Sequence, residues 1–241
     1  MIIQRFVGRQ LMLLMFMAWV LNVGAQSPSG KYFIIFKTNP ARSEISKSED
    51  EALQAPHLAY TDSLIKVRRL LASGSFHGGG GMIVLAAASL DEAQTIVNKD
   101  PIVAEGRMVA EIFPFSMNIG GICPTPEKYE MAEYQFIRYI PVTEAMAGQT
   151  EKKLEKLSKR HSSYLKVNFY ERSLIADTDF GAGKGGVLIA FNTDADEFDR
   201  FMQYDPFVKS GLYKPVSSTL WIAQGSFCER KPPPKKDSQS R

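Results

Sequence analysis

His57 stands 43 residues before Asp100, and His161 stands 44 residues before Asp205. The chain has three histidines, so two of them keep almost the same distance from an aspartate that is followed directly by proline. A carboxylate accepting from one ring nitrogen fixes the imidazole tautomer, raises its basicity and leaves the other nitrogen free to exchange a proton. Such a pair can abstract a proton alpha to a carbonyl or move one during an elimination. Asp-Pro has a structural reading too: Asp is a good helix cap and Pro fits the first helical position. A histidine on a helix can likewise be a donor at the edge of the core. Chemistry and capping both remain open for His57, Asp100, His161 and Asp205.

The two pairs belong to a longer repeat. Gly80-Gly81, Asp91-Glu92 and Asp100-Pro101 to Gly106 recur as Gly185-Gly186, Asp196-Glu197 and Asp205-Pro206 to Gly211, a constant offset of 105 residues (185 − 80, 205 − 100). The histidines are offset by 104 (161 − 57). Such a period is too long for a solenoid unit and matches a small domain. Cys123 and Cys228 obey the 105-residue offset as well. If a local two-fold axis relates the copies and these ends lie near it, the thiols can meet in a disulfide; otherwise each is a small buried hydrophobe.

The ends read differently from the body. Arg5 and Arg9 precede the apolar run Leu11–Leu21, and Val23-Gly24-Ala25 offers small residues at a cleavage point. The expectation is a signal peptide over 1–25, hence a periplasmic or secreted protein with no membrane span after cleavage. The formal net charge of +3 comes from the ends. Arg5 and Arg9 supply part, and the Pro-rich tail 229–241 supplies the rest, so the body is slightly acidic. No nucleic-acid-binding pattern is present and no nucleic-acid partner is expected. The tail reads as disordered. The expected division is domain 31–118, linker 119–132 and domain 133–228.

Each copy needs elements to bring His and Asp together. Tyr32–Lys37 and Tyr134–Ile140 read as strands. Residues 51–72 and 151–171 read as long helices carrying His57 and His161, with Pro56 either kinking the first or marking its first turn. A Gly-rich turn and a strand follow, at 82–86 or 187–191. Ser89 with Glu92 forms a capping box for a second helix, with Asp194 and Glu197 as counterparts. A last strand covers 107–115 or 212–223. The order β-α-(β)β-α-β is a ferredoxin-like α+β unit with helices on one face of an antiparallel sheet.

These features together resemble the YCII-related domain of the dimeric α+β barrel superfamily. The resemblance rests on the histidine in the first long helix, the Gly-rich stretch before the middle strand, the Ser/Asp-x-x-Glu helix start, and Asp-Pro-x-Val-x-x-Gly before the last strand. It covers about 31–118 and 133–227. It implies two ferredoxin-like domains forming an intrachain pseudo-dimer, sheet to sheet. It also implies His57/Asp100 and His161/Asp205 in clefts between helix and sheet, with small-molecule chemistry such as dehalogenation or ring isomerisation in some relatives. The chain departs from the family where a Gly-Pro usually follows the first helix. His77 stands in that loop in copy one, and Asp177 and Asp179 in copy two. These three are the expected pocket-lining residues, giving the two clefts different charge.

The Gly runs at 78–81 and 183–186 lead into strands, whereas a phosphate-binding turn leads into a helix. They read as turns. The sequence lacks Gly-x-Ser-x-Gly, His-Glu-x-x-His and Walker patterns. Two isolated cysteines do not make a zinc set. The expectation is an acid–base enzyme acting on an unknown small molecule without metal or organic cofactor; the alternative is a noncatalytic ligand-binding or scaffold protein of the same fold.

Overall fold

The strands begin where β-branched and aromatic residues crowd, and each copy lays four of them against a helical layer. The computed structural model describes residues 30–124, 128–170, 174–181, 183–191 and 195–229. The expected signal segment, the tail from 230 onward and the capping pair Asp194/Glu197 lie outside the described residues and side chains.

Copy one runs β1 (Gly30–Thr38), α1 (Lys47–Lys66), β2 (Leu70–Phe76), β3 (Gly81–Ala87), α2 (Leu90–Asn98), α3 (Pro101–Ala104), β4 (Met108–Pro114) and β5 (Ser116–Ile119). Copy two runs β6 (Met131–Pro141), α4 (Thr143–Met146), α5 (Glu151–Tyr170), β7 (Leu174–Asp179), β8 (Gly186–Phe191), α6 (Ala195–Tyr204), α7 (Pro206–Lys209) and β9 (Tyr213–Ala223). The fold is α+β, built from two ferredoxin-like halves.

Two differences from the sequence expectation have local causes. Helix α1 starts earlier, because Ser46 and Glu49 form a full capping box, and Pro56 sits inside it. It also stops earlier. Arg68 adopts a left-handed φ of 55°, and Leu70–Phe76 peels off to pair with β3. Leu70 and Leu71, expected on the helix, are strand residues. The apolar period continued through them with no Gly or Pro, and only sheet pairing overrides it.

The nine strands among the described residues form one sheet in the order β4-β1-β3-β2-β9-β6-β8-β7-β5. Within each copy the order is the same, since β9, β6, β8 and β7 repeat β4, β1, β3 and β2. Two junctions join the copies, and they are equivalent. β2 pairs with β9 through Ser75 and Trp221. β7 pairs with β5 through Asp179 and Ser116, the corresponding positions. Only Phe115 separates β4 from β5, so the last strand of copy one turns away from β1 and finishes against copy two. This closes the sheet into a barrel.

Alternation along the strands gives two apolar faces. Phe33, Phe136, Val84, Ile189, Leu220 and Ile222 fill the barrel interior from both copies. Ile34, Leu85, Ala93 and Val97 hold the helices of copy one. Ile137, Leu165, Leu188 and Met202 hold those of copy two. The layers are unequal: α1 contributes no fully buried residue, whereas Leu165 of α5 is 0% exposed. Cys123 and Cys228 form a disulfide with Cα atoms 5.2 Å apart, so the thiols do meet at the ends of the copies.

Candidate functional site

Both histidines meet their aspartates. His57 Nδ1 lies 2.8 and 3.0 Å from the two carboxylate oxygens of Asp100. His161 Nδ1 lies 2.8 Å from Asp205 Oδ1. The capping role is real too. Asp100 accepts from the Ile102 backbone N–H at 3.2 Å, and Asp205 accepts from that of Phe207 at 2.8 Å. Pro101 and Pro206 open the one-turn helices α3 and α7. Capping and pairing are therefore one arrangement: the turn fixes the carboxylate, and the carboxylate fixes the imidazole. Each aspartate accepts from Nδ1, which leaves Nε2 as the working nitrogen.

From there the sites diverge. In copy one the His57 side chain is 24% exposed, and its Nε2 makes no hydrogen bond among the described residues. In copy two His161 is 3% exposed. Its ring stacks on Phe207 at 3.8 Å and meets Tyr139 edge-on at 5.0 Å. Tyr139 donates its hydroxyl to Asp205 Oδ2 at 2.6 Å. His161 Nε2 lies 3.8 Å from Asp177 Oδ1, an ion-pair distance too long for a direct hydrogen bond. Asn118 Nδ2 donates to the other Asp177 oxygen at 3.0 Å.

The strand registers explain the asymmetry. Ser73, opposite Ile83, corresponds to Asp177, opposite Leu188. Phe36, opposite Gly81, corresponds to Tyr139, opposite Gly186. Copy two thus adds a second carboxylate and a phenol that copy one lacks. Asp177 is not a loop residue: it lies on β7, 1% exposed, with a carboxylate oxygen on the Nε2 side of the imidazole. Asn118 comes from β5, so the site of copy two is completed by copy one.

The electrostatics follow. Burial works to lower the His161 pKa, but Asp177 and Asp205 outweigh it and raise it to about 9. The ring is an imidazolium at neutral pH. Burial, and then the charge of Asp205, push the Tyr139 hydroxyl well above its ordinary value, so it remains a donor.

A half-open cavity of about 540 Å³ lies beside His161. Phe207, Thr178, Asp179 and one face of α5 line it together with His161. Asp179 is a lining residue, as expected. His77 is not. It sits on the β2–β3 turn, half exposed, and its Nε2 pairs with Glu133 Oε1 at 3.1 Å, which ties copy one to copy two. The Gly turns are structural at Gly80 and Gly185: a Cβ on either would collide with the carbonyl oxygen of Phe36 or Tyr139, so the turn must hug the neighbouring strand. No cluster of three or more His, Cys, Asp or Glu suited to a metal occurs among the described residues.

Tyr139, Asn118 and Phe207 escaped the sequence reading. Tyr139 and Phe207 look like core aromatics in a strand and after a proline. Only comparison with Phe36 and Ile102 of the other copy marks them as substitutions.

Residues 31–116 match the family model of the YCII-related domain. No curated protein sequence matches the chain. Solved structures that match include a proposed monooxygenase from Lactobacillus acidophilus NCFM, at 10% identity over 82% of this chain and 98% of that one, with a TM-score of 0.45. A chlorite dismutase variant from Candidatus Nitrospira defluvii matches at 10% identity over 81% and 92%, with a TM-score of 0.47. A heme-binding protein from Thermus thermophilus matches at 12% over 80% and 90%, with a TM-score of 0.41. The match to the YCII-related domain covers the first copy, and the second copy repeats its order of strands and helices.

Proposed function

We propose that the protein is a small-molecule enzyme performing acid–base chemistry in the cleft of copy two, with His161 as proton donor. The observation that carries this reading is an imidazole anchored at Nδ1 by Asp205, 2.8 Å away, that also lines an open cavity. A histidine with a pKa of about 9 is loaded with its proton at neutral pH. It can polarise or protonate a substrate oxygen through Nε2. Asp205 and Asp177 stabilise the cation before transfer, and Tyr139 holds Asp205 in place. Asp179, at the cavity wall, is the carboxylate placed to take a proton from an adjacent carbon. Proton removal beside a polarised oxygen is the shared first step of isomerases and lyases of this type. His57/Asp100, whose Nε2 makes no hydrogen bond among the described residues, is a second acid–base pair of different exposure.

The test is deuterium exchange into a panel of small carbonyl compounds, followed by NMR in D₂O. Wild-type protein should label at least one compound alpha to its carbonyl, and His161→Gln should not. Exchange that persists in His161→Gln together with His57→Gln sinks the acid–base reading. A binding-only reading is favoured by Asp177, which faces the nitrogen that must work. It would show as thermal stabilisation by a ligand with no exchange in any compound.

We also infer export. Arg5, Arg9, the apolar run 11–21 and Val23-Gly24-Ala25 support it, and so does a disulfide, which oxidising compartments favour. Protein recovered outside the cytoplasm should begin at Gln26; recovery with Met1 intact refutes cleavage there.

A further inference from the structure

The cavity beside His161 has one wall made by a single stripe of α5. Glu155, Ser158, Lys159, Ser162, Ser163 and Lys166 line it, at the spacings that place residues on one helix face. With the 104-residue offset of the histidines, copy one puts Glu51, Gln54, Ala55, Leu58, Ala59 and Asp62 at those positions. Hydroxyls and two ammonium groups thus replace glutamine, alanine, leucine and a carboxylate, and only in the second cleft.

These groups have capacity to spare. Lys159 Nζ bonds Glu155 Oε1 at 2.7 Å, but both side chains are mostly exposed, so the pair is weak and exchanges readily with a ligand. Lys166 makes no ion pair among the described residues. Ser163 gives its proton to the Lys159 carbonyl at 2.8 Å and keeps its lone pairs. Ser158 and Ser162 make no side-chain hydrogen bond among the described residues. His161, on the same helix, and Asp179, whose Oδ1 accepts from Gly181 N–H at 2.7 Å, complete the polar lining together with Thr178 and Asn118. The lining side chains other than Phe207 are all polar.

We propose that this cleft binds a small hydroxylated carboxylate. Lys166 and Lys159 supply the charge that favours its carboxylate. The serines and Asp179 match its hydroxyls, and His161 meets the oxygen that reacts. A carboxylate fits better than a phosphate: the Phe207 N–H at the start of α7 is already taken by Asp205, and Glu155 and Asp179 oppose a doubly charged group. The volume of about 540 Å³ suits a molecule of this size. The inference rests on the reading of this cleft as the substrate site.

The test titrates the full chain, by calorimetry or ligand-observed NMR, with matched pairs: gluconate against sorbitol, tartrate against threitol, and benzoate against benzyl alcohol. The hydroxylated carboxylates should bind about tenfold more tightly than their alcohols. In Lys159→Gln/Lys166→Gln, whose changes lie on an exposed face, that gap should close. Equal binding within each pair, a gap that survives the double variant, preference for benzoate, or no binding at millimolar ligand each overturns the proposal. His161→Gln separates it from the catalytic reading. If the charge preference remains while exchange activity also persists, the ligand class stands and the proton-donor role falls.

Discussion

At His161, two carboxylates hold a buried cation that burial alone would discharge. That balance has a pH consequence. The unfolded chain releases this proton near the ordinary pKa of about 6.5, whereas the folded protein keeps it to about 9. The pKa is raised on folding, so the stabilisation is full below about 6.5 and is lost as pH rises through about 9. A shift of this size corresponds to about 3 kcal/mol. Urea midpoints of wild type should therefore fall between pH 6.5 and 9.5, and those of His161→Gln should stay nearly flat across that window. Equal slopes would place the stabilising charge elsewhere. Tyr139→Phe tests the same network from the far side of Asp205. It should cost about 1 kcal/mol, the net worth of a hydrogen bond to a carboxylate. It should leave the imidazole charged at neutral pH, as ¹H–¹⁵N spectra of the ring would show.

The elements decide how much of this could be read beforehand. Both His–Asp pairs were legible because the repeat preserved their spacing and the Asp-Pro turn has an unambiguous local geometry. Asp177 was expected to line the cleft but not to partner His161, because its strand is short and lies where the sequence pointed to a loop. Asn118 was hidden by connectivity: it follows the last strand of one copy and acts in the other. The two long helices looked alike in sequence yet are packed differently. Leu165 of α5 is fully buried in the core of copy two, while Leu58 of α1 is 58% exposed. Leu165→Ala should cost about 2–5 kcal/mol, and Leu58→Ala less than about 0.5 kcal/mol. Native-state hydrogen exchange should accordingly show α1 opening well before α5. Equal protection of the two helices would contradict the packing.

At the scale of the whole molecule, the disulfide closes a loop of 105 residues between the ends of the copies. Chain-entropy arguments assign such a loop roughly 4–5 kcal/mol, and measured effects are often about 2–4. Cys123→Ser/Cys228→Ser should lose stability in that range by urea unfolding and keep the fold, since the strand junctions remain. The junctions also set the order of assembly. β5 waits for β7, about 60 residues further along the chain. β2 waits for β9, about 150 residues further. A nascent chain emerging vectorially therefore leaves the β2 edge bare until its last strand appears, so closure is a late, long-range step. Folding that depends on such distant pairing is slow. A chain that has lost its C-terminal strand should present two open edges and self-associate. The barrel is thus completed only when β9 is in place, which makes that strand a checkpoint on the integrity of everything before it.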